Sequence, residues 1–231
     1  MAIVQINIMK SKLTFLLSLT FLFLFSWSVY GDDYQDGVDA HERKDYKEAV
    51  RLYRLAAEQG YSQAQYNLGT MYNRGHGVSQ DHKEAVKWFR LAADQGFAGA
   101  QYSLGMMYQV GLGVPQDYKE AIKWNRLAAG KGIADAQRNL GWMYAEGHGV
   151  PQDYKEAVKW YRLATEQGHA VAQFNLGGLY VLSTGVSQDY QEASKWYRLS
   201  AEQGNAKAQF IVATRHAAKQ LAGKSFPDRP Q

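Results

Sequence analysis

Residues 64–99 read AQYNLGTMYNRGHGVSQDHKEAVKWFRLAADQGFAG, and residues 100–135 read AQYSLGMMYQVGLGVPQDYKEAIKWNRLAAGKGIAD. The second stretch repeats the first at an offset of 36 residues, and the offset recurs in three independent registers. A Leu-Gly pair stands at Leu68-Gly69, Leu104-Gly105, Leu140-Gly141 and Leu176-Gly177. Tyr72, Tyr108, Tyr144 and Tyr180 form the second register, and Trp88, Trp124, Trp160 and Trp196 the third. Full units therefore run 64–99, 100–135, 136–171 and 172–207 without insertion or deletion. A fixed period of this size is the signature of stacked supersecondary units, none of which buries its apolar face alone.

Each unit reads as two helices. Ala64, Leu68, Met71 and Tyr72 share one face by their helical spacing. Gly75 and Gly77 follow, where a left-handed residue ends a helix without steric cost. Val78 is the apolar residue of that loop and is expected to turn inward. A second helix is expected to open at Asp81, with Glu84 three residues on. The same spacing recurs at Asp45/Glu48, Asp117/Glu120, Asp153/Glu156 and Asp189/Glu192. It resembles a capping box in which the Asp accepts from the third helical N–H and the Glu reaches back. Ala85, Trp88 and Ala92 are the expected buried stripe, and Gly96 the stop. Glycine inside a helix costs about 1 kcal/mol relative to alanine, so Gly69 implies close helix approach. Trp88, able to bury on the order of 200 Å², is the expected contact between neighbouring units.

Outside the repeat the chain changes character. Residues 1–31 contain no acidic side chain, and Lys10 and Lys12 precede the apolar run from Leu13 to Phe25. With small Gly31 ahead of Asp32-Asp33, this is the pattern of a secretory signal peptide, expected to be cleaved near Gly31. A retained anchor is the alternative, because the apolar stretch approaches the lower limit of ~17 residues for crossing a bilayer. Met9-Lys-Ser-Lys12 would begin a more compact signal, so Met1 and Met9 both stand as candidate starts.

Removing residues 1–31 takes away two lysines and leaves 24 basic against 22 acidic residues, a net charge of +2. Charges of both signs alternate along the chain, so the clustered footprint needed for nucleic acid is missing, and no strong membrane binding is expected after cleavage. There is no cysteine, which excludes disulfides, thiolate metal sites and thiol nucleophiles.

The pattern Ala-x-x-x-Leu-Gly-x-x-Tyr-x-x-Gly-x-Gly-Val-x-x-Asp-x-x-x-Ala-x-x-Trp resembles the Sel-one-like repeat family, a relative of the tetratricopeptide repeats. The resemblance covers about residues 33–215. It implies an all-α fold, a right-handed α/α superhelical solenoid of two-helix units, and the role of an exported adaptor or scaffold for a protein or peptide partner. Residues 32–63 form a leading, tetratricopeptide-like unit. Its Gly37 and Ala49 are closer than Gly69 and Ala85, and Leu52 replaces the tryptophan. Residues 64–207 are the four full units, 208–224 a terminal capping helix, and 225–231 a loose tail. Ser183 replaces the first loop glycine of the fourth unit and Ser200 an alanine there.

Chemistry-bearing constellations are scarce. The six histidines are scattered, and the repeated carboxylates occupy capping positions, so neither a metal, a catalytic residue nor a cofactor is expected. Cysteine-rich members of the family have been described as binding or slowly hydrolysing β-lactams. This chain lacks those cysteines and any Ser-x-x-Lys pair. A weak binder of β-lactams or peptidoglycan fragments is the alternative to a protein scaffold.

Candidate binding residues lie on the first helix of each unit, opposite the Leu68/Tyr72 stripe, since two residues turn a helix by about 200°. In related tetratricopeptide repeats this face lines a concave groove. One register there reads Tyr66, Tyr102, Arg138, Phe174 and Phe210, and another reads Thr70, Met106, Trp142, Gly178 and Thr214. These positions vary while the packing positions recur. The expected partner-binding set is Tyr66, Tyr102, Met106, Arg138, Trp142 and Phe174, with packing against neighbouring helices the competing role for Tyr66 and Tyr102.

Overall fold

The computed structural model describes residues 33–222, the side chains through Arg215, and every regular element among them is a helix. The expected signal segment at 1–31, the last residues of the capping helix and the tail at 225–231 lie outside the described residues. The helices are α1 (33–42), α2 (Tyr46–Glu58), α3 (Ser62–Arg74), α4 (His82–Asp94), α5 (Ala98–Val110) and α6 (Tyr118–Gly130). They continue with α7 (Ala134–Glu146), α8 (Tyr154–Glu166), α9 (Ala170–Leu182), α10 (Tyr190–Glu202) and α11 (Ala206–Ala222). The repeated helix pairs make an all-α solenoid. By internal contacts the chain falls into two compact units: one through Ala100 together with Leu112–Val114, the other Gln101–Gly111 together with Pro115 onward.

Every second helix starts as the sequence predicts, on an aspartate. Asp81 Oδ1 accepts from the N–H groups of Lys83 and Glu84, and Asp117, Asp153 and Asp189 repeat the arrangement. The reciprocal half of the expected box is not made. Glu84 pairs with Lys87, Glu120 with Lys123, Glu156 with Lys159 and Glu192 with Lys195. The aspartate's own N–H is already taken, donating at 2.9–3.2 Å to the carbonyl of Tyr72, Tyr108, Tyr144 or Tyr180. The tyrosine register thus closes each helical hairpin, and the glutamate is released to its helical neighbour.

The two loop glycines have separate jobs. Gly75 (φ 70°) and Gly147 (φ 72°) are left-handed C-caps, donating to the Met71 and Met143 carbonyls. Ser183 takes the same conformation at φ 58°, where an L side chain is disfavoured. The second glycine is placed by the preceding repeat: a Cβ on Gly149 would lie 2.7 Å from the Tyr118 Cβ at the start of α6. A Cβ on Gly77 would likewise run into the Tyr46 carbonyl of α2. In the leading hairpin the shorter turn carries no glycine, and Lys44 adopts the left-handed conformation at φ 64°.

The core follows the predicted stripes and is broader. On α4 Ala85, Trp88 and Ala92 are buried, and so are Val86, Phe89 and Ala93. A second helix needs two apolar faces because it packs on its own first helix and on the next, as α8 does on α7 and α9. Gly69, Gly141 and Gly177 admit that packing. A Cβ there would lie 2.8 Å from the Phe89 ring, 2.6 Å from Tyr161 and 3.0 Å from Tyr197. Buried glutamines join successive repeats: Gln65 donates to Ala57 O and accepts from Gln95, and Gln137 donates to Ala129 O and accepts from Gln167. Val78 turns inward onto the core of the first unit, as expected.

Candidate functional site

Within the second unit, the residues singled out from the sequence fall on α5, α7 and α9, and the structure surrounds each differently. Phe174 is half-buried against the Tyr197 ring of its own hairpin, centroids 5.5 Å apart. Tyr102 and Met106 are half-buried on α5. In the first unit Tyr66 makes the same kind of contact as Phe174, at 5.8 Å from Phe89 and 5.1 Å from Phe97. Phe210, the last residue of that register, is 70% exposed. Tyr66 and Phe174 thus each lean on the following helix of their own hairpin.

Trp142 is the centre of an aromatic group that the repeat arithmetic did not reveal. Its ring lies 4.6 Å from His148 and 6.5 Å from Tyr118, and Tyr118 stacks on His148 at 4.6 Å with planes 11° apart. Tyr118 opens α6, and His148 is the variable residue of the loop after α7. Three rings thus come from three places in the chain. The first unit has the matching stack of Tyr46 on His76 at 4.9 Å, but Thr70 stands in the tryptophan's place. A clue was present: His76 and His148 share one register, and each faces an aromatic residue two helices earlier.

Arg138 lies one turn before Trp142 on α7. It is half-buried, and its Nε is closed off from solvent without an acceptor. It is near enough to the Tyr161 phenol to lower its pKa, although burial, the dominant influence, pushes that phenol up. The carboxylate of Asp135, one turn earlier, faces His169 Nε2 at 3.1 Å.

Beneath these residues sits an irregularity in the core. Asn125 occupies the α6 position that carries Tyr53, Phe89, Tyr161 and Tyr197 in the other hairpins. It is fully buried against Gly105, with Nδ2 donating to Ala121 O at 2.8 Å. Asn139, also fully buried, donates to Met106 Sδ at 2.9 Å and, at a long 3.5 Å, to Asn125 Oδ1. Its own Oδ1 has no donor. Among the described residues no group of three His, Asp or Glu side chains is placed to hold a metal, and no helix is long and apolar enough to cross a membrane.

Fold and surface together define a helical-repeat protein that presents variable side chains on a recurring frame. The chain belongs to the Sel1 repeat family, whose model matches residues 30–61, 62–97, 98–133, 134–169 and 170–205. The leading hairpin is thus itself a Sel1 repeat. A crystal structure of a protective antigen of uropathogenic Escherichia coli displaying an SLR fold is 38% identical, with a TM-score of 0.79 over 87% of this chain and 44% of that one. This chain therefore spans less than half the length of that relative. A Sel1 repeat protein from Oxalobacter formigenes is 36% identical at a TM-score of 0.76, covering 80% of this chain and 76% of its own. A search of curated proteins found no significant match. Sel1 repeat proteins generally serve as scaffolds for protein–protein interaction and are typically not enzymes.

Proposed function

We propose that the chain is an exported scaffold that binds a protein or peptide partner on the α5, α7 and α9 face of its second unit, with Trp142 as the principal contact. The observation that carries this reading is the Trp142 group. A half-buried tryptophan held by Tyr118 and His148 stands on a face whose other positions vary from repeat to repeat. Tryptophan and arginine are among the side chains enriched where binding energy concentrates. Tyr102, Met106, Arg138 and Phe174 extend the face on both sides. Tyr66 belongs to the first unit, where its ring leans on Phe89 and Phe97, and both roles, binding and packing, stand open for it.

Partner-free variants test this directly against bound ones. Trp142→Ala is expected to weaken partner binding by about 2 kcal/mol with the helical circular-dichroism signal unchanged. Trp160→Ala, on α8 and partly buried against the core that α6 and α7 form, is expected to lose roughly 3 kcal/mol of stability and to lose binding only through unfolding. The reverse pattern would show that the two faces of the repeat have been exchanged. Export carries its own test: mass spectrometry of the mature amino terminus is expected to place it next to Gly31, and a full-length cytoplasmic protein would remove export from the proposal.

A further inference from the structure

Arg138 breaks the rule of its register. Tyr66, Tyr102, Phe174 and Phe210 are aromatic, and Arg138 alone is charged. Its surroundings do not account for the charge. Arg54, a comparably half-buried arginine, donates to the Tyr72 hydroxyl at 2.6 Å, and Arg126 and Arg162 donate likewise to Tyr144 and Tyr180. Arg138 has no such acceptor, and its Nε is shut off from water. The acidic group one turn before it, Asp135, already faces His169. Withdrawing a guanidinium N–H from water without an acceptor is unfavourable, and an aromatic ring at this position would avoid the loss, as it does in the neighbouring repeats. Local departures of this kind concentrate at functional sites.

On the reading of this face as a peptide-binding one, we infer that Arg138 recognises a carboxylate of the partner. The matching group is an internal Asp or Glu side chain flanked by apolar residues. The Nη groups of Arg138, which are not closed off as Nε is, can donate charge-assisted hydrogen bonds to a carboxylate that a partner brings. Charge complementarity identifies the rest. Of the residues assigned to this face, Tyr102, Met106, Arg138, Trp142 and Phe174, only Arg138 is charged, so the complement is one negative charge set between apolar groups. A polyphosphate or nucleic acid calls for a basic cluster, and the chain without its first 31 residues carries only 24 basic against 22 acidic side chains. Candidate contacts lie on both sides of Arg138, on α5 and on α9, so the bound segment continues in both directions and its carboxylate comes from a side chain rather than a chain end.

The test is a selection of random 12-residue peptides, displayed with their carboxyl ends blocked, on the full chain and on Arg138→Gln and Arg138→Tyr. Arg138→Tyr restores the side chain found at Tyr66 and Tyr102 and keeps the fold testable should the glutamine variant unfold. The chain is expected to enrich peptides with an Asp or Glu between apolar residues. A synthetic copy of the best peptide with that acid changed to its amide is expected to bind at least tenfold more weakly, and added salt to narrow the gap. Both variants are expected to lose the distinction between acid and amide. Enriched peptides that lack an acid, or an acid preference that survives in Arg138→Tyr, would overturn the role of Arg138 while leaving a peptide site that depends on Trp142. Failure to enrich any peptide, or enriched peptides indifferent to Trp142→Ala, would overturn the binding face itself and this inference with it.

Discussion

Asn125 occupies a rung that its four counterparts fill with an aromatic ring, and the consequences stay local. Tyr161 reaches Asn175 through its phenol, and burial raises its pKa above the ordinary value. Asn125 has no ring to offer, so Asn139 turns its amide to the Met106 sulfur, a weak acceptor, and leaves its own Oδ1 unsatisfied. A buried acceptor without a donor costs about 1–3 kcal/mol. Asn125→Tyr recreates the Tyr161–Asn175 pair one repeat earlier and lays a ring over Gly105, as Tyr161 lies over Gly141. It is expected to gain about 1 kcal/mol, raising the melting temperature by roughly 2–4 °C for a domain of this size. A fall in melting temperature would mean that Met106 already fills the place of the ring. The irregularity was open to reading in the sequence, because one asparagine among four aromatics stands out once the repeats are aligned. The unsatisfied oxygen was not, since it depends on which way two amides turn in space.

At the scale of the helical hairpin, the loop carries more of the specification than its length implies. The aspartate caps were legible because a cap is local: side chain and N–H lie within one turn. The glutamate's partner differs from the expected one because a contact across the loop decides it: the tyrosine carbonyl takes the aspartate N–H, and the glutamate turns to the lysine three residues on in its own helix. The second loop glycine separates backbone strain from packing. Gly149 (φ 73°) and Gly168 (φ 78°) are both left-handed, but a Cβ on Gly149 meets Tyr118 of the preceding repeat and one on Gly168 meets nothing within 4 Å. Gly168→Ala is expected to lose about 1 kcal/mol, the cost of the left-handed conformation alone. Gly149→Ala is expected to lose a further 1–3 kcal/mol or so from overpacking, measured by denaturant unfolding. Equal losses would mean that the loop does not bear on its neighbour. The Trp142 group has the same origin as this contact. Its rings come from successive repeats, so a helical wheel drawn for one repeat places Trp142 on the right face and cannot show what holds it there.

For the whole molecule, repetition makes stability a sum of hairpin terms and nearest-neighbour contacts, with no single core through which every change is felt. The contacts described above are of this short-range kind: Gln65 with Gln95, Gln137 with Gln167, Gln173 with Gln203, and each second loop glycine with the helix start one repeat before it. Contacts also gather into two compact units, with α2–α4 in the first and α6–α10 in the second. A change in the strength of one rung should therefore travel only as far as its own cooperative unit, a property that native-state hydrogen exchange reads helix by helix. Asn125→Tyr supplies the perturbation. Its gain is expected as slower exchange of the protected amides in α6, α7 and α8, with those of α2, α3 and α4 unchanged. Uniform slowing across all the helices would show that the chain opens as one body. The nearest-neighbour account would then fail, although every contact on which it was built would still be present.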